Sequence, residues 1–259
     1  MRHSVFAGGK RLRPVLCLES GRLFAGDESS LLRLGCALEL IHTYSLIHDD
    51  LPALDNDDLR RGKPTCHKAF GEATAILAGD ALLTLAFEIL SCPGGATEAR
   101  RLRMIHEIAH AIGTRAGMVG GQMVDLETAG HKTDAATLEY IHSAKTGAFI
   151  RIAVRSGALD AGAREEDLAR VTTYGERVGL AFQIADDLLD VTGSREELGK
   201  AVGKDDQQQK ATYPALHGIE ESRRIAARLV EEACAALEPF GTRAQQLQEI
   251  AHFLIERNH

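Results

Sequence analysis

The chain contains no tryptophan, only six prolines, and just 5% aromatic residues in 259. So few flat rings leave little material for stacking against nucleobases. Cations are also in deficit: 30 Lys and Arg stand against 37 Asp and Glu, a net charge of -7. A binder of phosphate backbones needs the opposite balance, so no nucleic-acid partner is expected. The five cysteines are odd in number, widely spaced and lack any Cys-x-x-Cys pair. That argues against a disulfide framework or a cysteine zinc site and suits a reducing, cytoplasmic setting. The longest apolar stretch, Ala81 to Leu90, is broken by Thr84 and Glu88 and preceded by Asp80. It falls short of the ~20 residues that span a bilayer, so no integral membrane segment is expected. Met1 to Gly9 lacks the apolar core of a secretory signal. Strands of useful length with period-two alternation are missing too, as is any Pro-, Gly- or Ser-rich linker.

Helical periodicity fills the space these absences leave. Apolar residues recur at three- and four-residue steps over 14–25, 31–50, 72–91, 97–115, 134–157, 165–192, 212–237 and 242–257. Turn chemistry separates them at Gly26-Asp27, Gly62-Lys63-Pro64, Pro93-Gly94-Gly95, Gly130 to Thr133 and Asp160 to Gly162. The reading is one all-α domain. The stretches Ala73 to Ala86 and Gly179 to Ile184 are apolar on more than one face, which predicts helices surrounded by other helices.

Two aspartate clusters stand out. Asp186-Asp187-Leu188-Leu189-Asp190 follows an apolar helical stretch. Asp186 and Asp190 are four residues apart and share a helix face, with Cβ atoms ~5–6 Å apart. Like charges there repel, and a hard divalent cation such as Mg2+ would compensate them. The other cluster runs from Asp49-Asp50 through Pro52 and Asp55 to Asp57-Asp58. On a regular helix Asp49 and Asp55 would sit about 240° apart. Pro52 disfavours α geometry just before it, so the helix is predicted to end there and the loop to curl Asp55 back toward Asp49. An EF-hand does not fit, because Leu59 and Arg60 occupy the loop positions that need a ligand and a glycine.

Basic stretches accompany these acids: Gly8-Gly9-Lys10-Arg11-Leu12-Arg13, Arg60-Arg61-Gly62-Lys63, Lys145-Thr146-Gly147, and Gly199-Lys200 with Gly203-Lys204. Acid clusters and cations together point to a metal-bound phosphorylated ligand. The P-loop pattern is absent. Another class remains open on the residues alone. Glu-x-x-His occurs at Glu39/His42, Glu107/His110, Glu139/His142 and Glu249/His252, and such pairs on facing helices mark di-iron bundle oxidoreductases.

The stretches GGKRLRP (8–14), IHTYSLIHDDLPALDNDDLRRGKPTCH (41–67), ILAGDALLTLAFEIL (76–90), GGQMVDLE (120–127), KTGAFI (145–150), GLAFQIADDLLDVTG (179–193) and KATYPAL (210–216) resemble the trans-isoprenyl diphosphate synthases. The bacterial farnesyl diphosphate synthases are the best match. A class I terpene cyclase accounts for the first cluster but not for GGKRLRP. A non-catalytic subunit would lack one aspartate motif. The resemblance implies a helical bundle around a deep central cavity, with the two motifs facing each other across its mouth. It implies Mg2+, three ions per site, held by Asp49, Asp50, Asp55, Asp186 and Asp190. Arg60, Lys145 and Lys200 would hold the allylic diphosphate, with Thr146 and Gln183 beside the allylic carbon and Lys210 closing the site. Lys10, Arg13, His42 and Arg61 would hold isopentenyl diphosphate. Tyr44, with Ser45, would set chain length; an aromatic here plus the Pro52-Ala53 insertion resembles the C15 pattern, with a C20 synthase as the alternative. A homodimer is also implied. Family members carry a further helix before the Gly-Gly-Lys motif, which here starts at Gly8, so that helix is read as missing.

Overall fold

The computed structural model describes residues 1–131, 133–192 and 212–256. Its helices are α1 (Arg2–Val5), α2 (Leu12–Leu23), α3 (Glu28–Asp49), α4 (Cys66–Phe70), α5 (Glu72–Ser91), α6 (Glu98–Ile112), α7 (Met118–Thr128), α8 (Ala135–Ile141), α9 (Ala148–Ala161), α10 (Glu165–Thr192), α11 (Tyr213–His217), α12 (Ile219–Leu237) and α13 (Gln245–Ile255). A π-helical turn, His142–Gly147, joins α8 to α9, and a 3-10 segment, Glu238–Ala244, joins α12 to α13. Side-chain caps start several helices: Asp27 accepts from the Ser30 amide, Asp134 from Thr137 and Thr212 from Ala215.

Helix α9 is the axis of the bundle, packed on α2, α10 and α6. One side of it, through Ile150 and Val154, joins a core with α10, α12 and α13; the other, through Phe149 and Ile152, joins a core with α3, α5 and α6. A Cβ on Gly157 would lie 2.0 Å from the Cys17 carbonyl oxygen, so only glycine lets α2 come this close.

The structure departs from the sequence reading in four places. Helix α7 lacks a predicted counterpart, because its glycine pair, Gly120-Gly121, lowers helix propensity. The pair is kept for contact: a Cβ on Gly121 would sit 2.3 Å from the Lys145 amide nitrogen. The expected helix 212–237 is cut at Gly218, whose φ of 80° breaks it. A two-stranded hairpin, β1 (Leu59–Arg60) and β2 (Lys63–Pro64), turns at Arg61 and Gly62, both at positive φ. Helix α5 is 20 residues and contains an 18-residue window with a mean hydropathy of 1.7, long and apolar enough to cross a membrane by length and composition. The sequence reading missed this because it stopped at Asp80 and Glu88; the helix packs along α3.

Candidate active site

A cavity of about 580 Å³ opens among α3, α7, the π-turn and α10. Its first wall is the end of α3. The chain leaves the helix at Asp50, and the Asp55 amide donates to the Asp49 carbonyl at 2.8 Å while Asn56, at φ 49°, donates to Leu51. The loop therefore folds Asp55 back on Asp49, and both line the cavity. Burial pushes the Asp49 carboxyl up to about 6; Lys145 opposes this and Asp55 adds to it. Asp50 is not among the cavity-lining residues. It is 3% exposed and accepts from Arg60 Nε at 2.9 Å. Arg60 reaches the cavity from the hairpin and also contacts Asp57 at 3.2 Å.

The second wall is α10. Asp186, Asp190 and Gln183 line the cavity from successive turns. Asp187 borders it as well, but its Oδ2 accepts from the Tyr213 amide at 2.9 Å and lies 2.9 Å from His142 Nε2.

The third wall is the π-turn. An extra residue in the turn is a common device at functional sites, and here it carries Lys145 and Thr146 to the cavity. Lys145 Nζ donates to Asp125 Oδ2 at 2.6 Å. Burial works to lower its pKa, but Asp125, with Asp49 and Asp55 beyond it, holds it above the ordinary lysine range. Gly179 supports the turn from α10, where a Cβ would meet the Gly147 Cα at 2.9 Å.

The fourth group is cationic. Arg13 lies over the Phe149 ring at 5.0 Å, and burial lowers its pKa to about 10. Burial, then Arg13 and the arginines 61, 60 and 11, keep His42 well below the usual histidine value, so its imidazole is neutral. Both residues line the cavity. Lys10 is exposed and Arg61 donates to the Gly8 carbonyl; neither is in the lining. Tyr44 and Ser45 are in it, and Tyr44 is 8% exposed with its ring edge-on to His48 at 5.7 Å. Lys200 and Lys210 lie outside the described residues.

Sequence reasoning gave no role to Asp125 or Tyr213, and gave Glu39 only a place in a Glu-x-x-His pair. Asp125 stood in the quoted GGQMVDLE stretch and Tyr213 in KATYPAL, so a signal was present for both. The contacts of Glu39 with Arg11 and of Tyr213 with Asp187 join distant segments and leave no local pattern. The Glu-x-x-His pairs do not converge: Glu107 pairs with Arg103 and Arg155, His142 with Asp187, and His252 sits 3.7 Å from Cys234 Sγ. Among the described residues no three His, Cys, Asp or Glu are grouped tightly enough to hold a metal unaided. The carboxylates come instead as oxygen donors from two separate elements that line one cavity. That fits Mg2+, which takes one or two carboxylates and fills its shell with water and ligand oxygens.

Helices around a cavity that combines apolar side chains such as Met118, Ile141 and Phe182 with carboxylates from two elements and cations define an enzyme class suited to a diphosphate on an apolar tail. The chain belongs to the polyprenyl synthetase family, whose model matches residues 1–249. It is 54% identical to a dimethylallyltranstransferase of Fischerella ambigua (strain UTEX 1903), over 100% of this chain and 75% of that one. It is 51% identical to a geranylgeranyl diphosphate synthase of Cyanophora paradoxa, covering 100% and 87%, and 48% to the farnesyl diphosphate synthase of Escherichia coli (strain K12), covering 100% and 88%. The fold overlays the apo FPP/GFPP synthase of Zymomonas mobilis with a TM-score of 0.88 at 44% identity, covering 98% and 86%. A geranyltransferase of Helicobacter pylori complexed with magnesium and isoprenyl diphosphate gives 0.86 at 32% identity, covering 98% and 85%.

Proposed function

We propose that this enzyme condenses isopentenyl diphosphate with dimethylallyl and then geranyl diphosphate, making mainly farnesyl diphosphate. The observation that supports the reading is that Asp49 and Asp55, from the end of α3, and Asp186 and Asp190, from α10, line one cavity that also receives Lys145, Arg60, Arg13 and His42. Asp49, Asp55, Asp186 and Asp190 would hold Mg2+, three ions per site, which supplies charge neutralisation to the diphosphate leaving group. Asp50 acts indirectly, by orienting Arg60.

Arg60 and Lys145, with Lys200, bind the allylic diphosphate and offset the charge that builds up as its C–O bond ionises. The apolar wall keeps water from the allylic carbocation, and the Thr146 and Gln183 oxygens face its positive charge. Arg13 and neutral His42, helped by Lys10 and Arg61 at the rim, orient isopentenyl diphosphate. Its double bond attacks the cation, and the proton then lost leaves on the released diphosphate. Tyr44, one turn and more below Asp49, forms the floor that stops growth at fifteen carbons. Incubation with isopentenyl and dimethylallyl diphosphates plus Mg2+, then chromatography of the dephosphorylated alcohols, tests this; no prenyl alcohol longer than the starting one would refute it.

The homodimer reading draws on the outer apolar side chains of α5 and α6, Ile76, Leu77 and Leu102, the last two 66% and 70% exposed. Light scattering at micromolar concentration should give twice the chain mass.

A further inference from the structure

The second aspartate motif contains one carboxylate that is already engaged. Asp187 is 8% exposed, and a single oxygen, Oδ2, takes two contacts of 2.9 Å. One is from the Tyr213 backbone amide at the start of α11. The other is from Nε2 of His142, the first residue of the π-turn that carries Lys145 and Thr146. Facing a carboxylate already served by an amide, His142 Nε2 must be the protonated nitrogen. The His142 ring, 7% exposed, also stacks on Tyr213 at 5.5 Å and 21°. Three segments far apart in sequence thus meet on one oxygen: the π-turn, α10 and the strand-like entry to α11.

We infer that His142 is a positioning residue. Its hydrogen bond to Asp187 sets the rotation of the second aspartate motif relative to the Lys145 and Thr146 turn. The inference rests on the prenyl-transfer reading and deepens it. Asp186 and Asp190 flank Asp187 on the same helix, so a rotation of α10 about its axis would move both. Lys145 is three residues from His142 on the turn. Fixing His142 to Asp187 therefore fixes Lys145, which would bind the diphosphate directly, relative to Asp186 and Asp190, which would hold Mg2+ against it. Outer partners of this kind typically change metal-site affinity or activity about 10–100-fold. Histidine also provides two separable things here, a donor at Nε2 and a flat ring for Tyr213.

Two variants divide these contributions. His142→Phe keeps the ring and removes the donor; His142→Gln keeps an N–H donor at similar reach and removes the ring. Three quantities are measured: kcat and KM for geranyl diphosphate and for isopentenyl diphosphate, calorimetric binding of inorganic diphosphate in Mg2+, and Tm without ligand. The Phe variant is expected to lose about tenfold or more in kcat and in diphosphate affinity, with KM for isopentenyl diphosphate unchanged and Tm close to wild type. The Gln variant should recover most of both losses. A Phe variant that matches wild type in turnover and diphosphate binding overturns the inference. So does a Gln variant that falls as far as Phe, since packing alone would then explain both. If the Phe variant does not fold, the Gln variant decides alone: near wild-type kcat sustains the hydrogen bond, and a tenfold loss refutes it. Wild-type enzyme without prenyl transfer would instead refute the reading of the reaction itself.

Discussion

The two aspartate walls present similar carboxylates on different backbones. On α10 the helix runs on regularly, and the four-residue step alone aligns Asp186 with Asp190. On α3 the helix ends, and a loop closed by the Asp55-to-Asp49 hydrogen bond brings the pair together. Each wall also engages its second aspartate elsewhere. Asp50 is held by Arg60 of the hairpin, and Asp187 by His142 and the Tyr213 amide. A buried carboxylate without a partner is costly, so each engaged aspartate is stable at rest. At Asp49 burial pushes the carboxyl up and the neighbouring Asp55 adds to it, a charge that a cation would relieve. The difference between the walls is one of anchoring: the first depends on loop and ion-pair geometry, the second on helix periodicity.

The harshest test of this symmetry removes one outer carboxylate from each wall. Asp49→Ala and Asp186→Ala should each lower kcat by about 10³-fold, because the lost charge stabilisation belongs to the transition state. Near wild-type turnover for both in saturating Mg2+ would show that neither wall binds metal. A smaller effect separates outer from inner aspartates. Asp50→Ala removes the carboxylate that accepts from Arg60 Nε, so stability should fall by about 1–3 kcal/mol, read by urea denaturation. Its kcat should drop less than that of Asp49→Ala; an equal drop would make Asp50 a direct ligand after all.

The second wall was legible in sequence for a plain physical reason, since Asp186 and Asp190 need only helix periodicity. The curl of Asp55 was legible as well, through Pro52. What local sequence could not show was which aspartate each wall turns aside, because Arg60, His142 and Tyr213 reach them from other segments. Helix α7 was lost to its glycines, whose value lies in close contact, Gly121 with the Lys145 turn and Gly120 with the Thr114 carbonyl, rather than in propensity. The fold class followed from periodicity, but the π-turn did not: one extra residue in a turn leaves the apolar pattern of 134–157 nearly intact.

Tyr44 sharpens the comparison on the first wall, where it stands on α3 five residues before Asp49; on α10 the ring that lines the cavity is Phe182, four residues before Asp186. Tyr44→Ala should shift the product from C15 toward C20 or longer, with total turnover within about threefold, because deleting a floor removes strain against one more isoprene unit. Unchanged C15 product would place the floor elsewhere.

The smallest expected effect comes from a carboxylate outside the cavity, where charges are matched. Glu107 on α6 accepts from Arg155 Nε on α9 and from Arg103 Nε at 2.9 Å, and Arg155 also donates to Thr172 on α10 at 2.8 Å. Burial would raise the Glu107 pKa, but the hydrogen bonds from Arg155 and Arg103 outweigh it and hold it below the usual glutamate range. A carboxyl lowered on folding adds stability that is fully present above its unfolded value, about 4.3, and is lost as pH falls through the folded value. Glu107→Gln should therefore cost about 1 kcal/mol at pH 7, modest because the pair is partly solvated. The gap from wild type should shrink as pH drops below about 4, while kcat at pH 7 stays unchanged. A gap that is constant with pH would mean that shape, not charge, joins α6 to α9. A lost kcat would mean that this ion-pair cluster and the cavity walls are not independent.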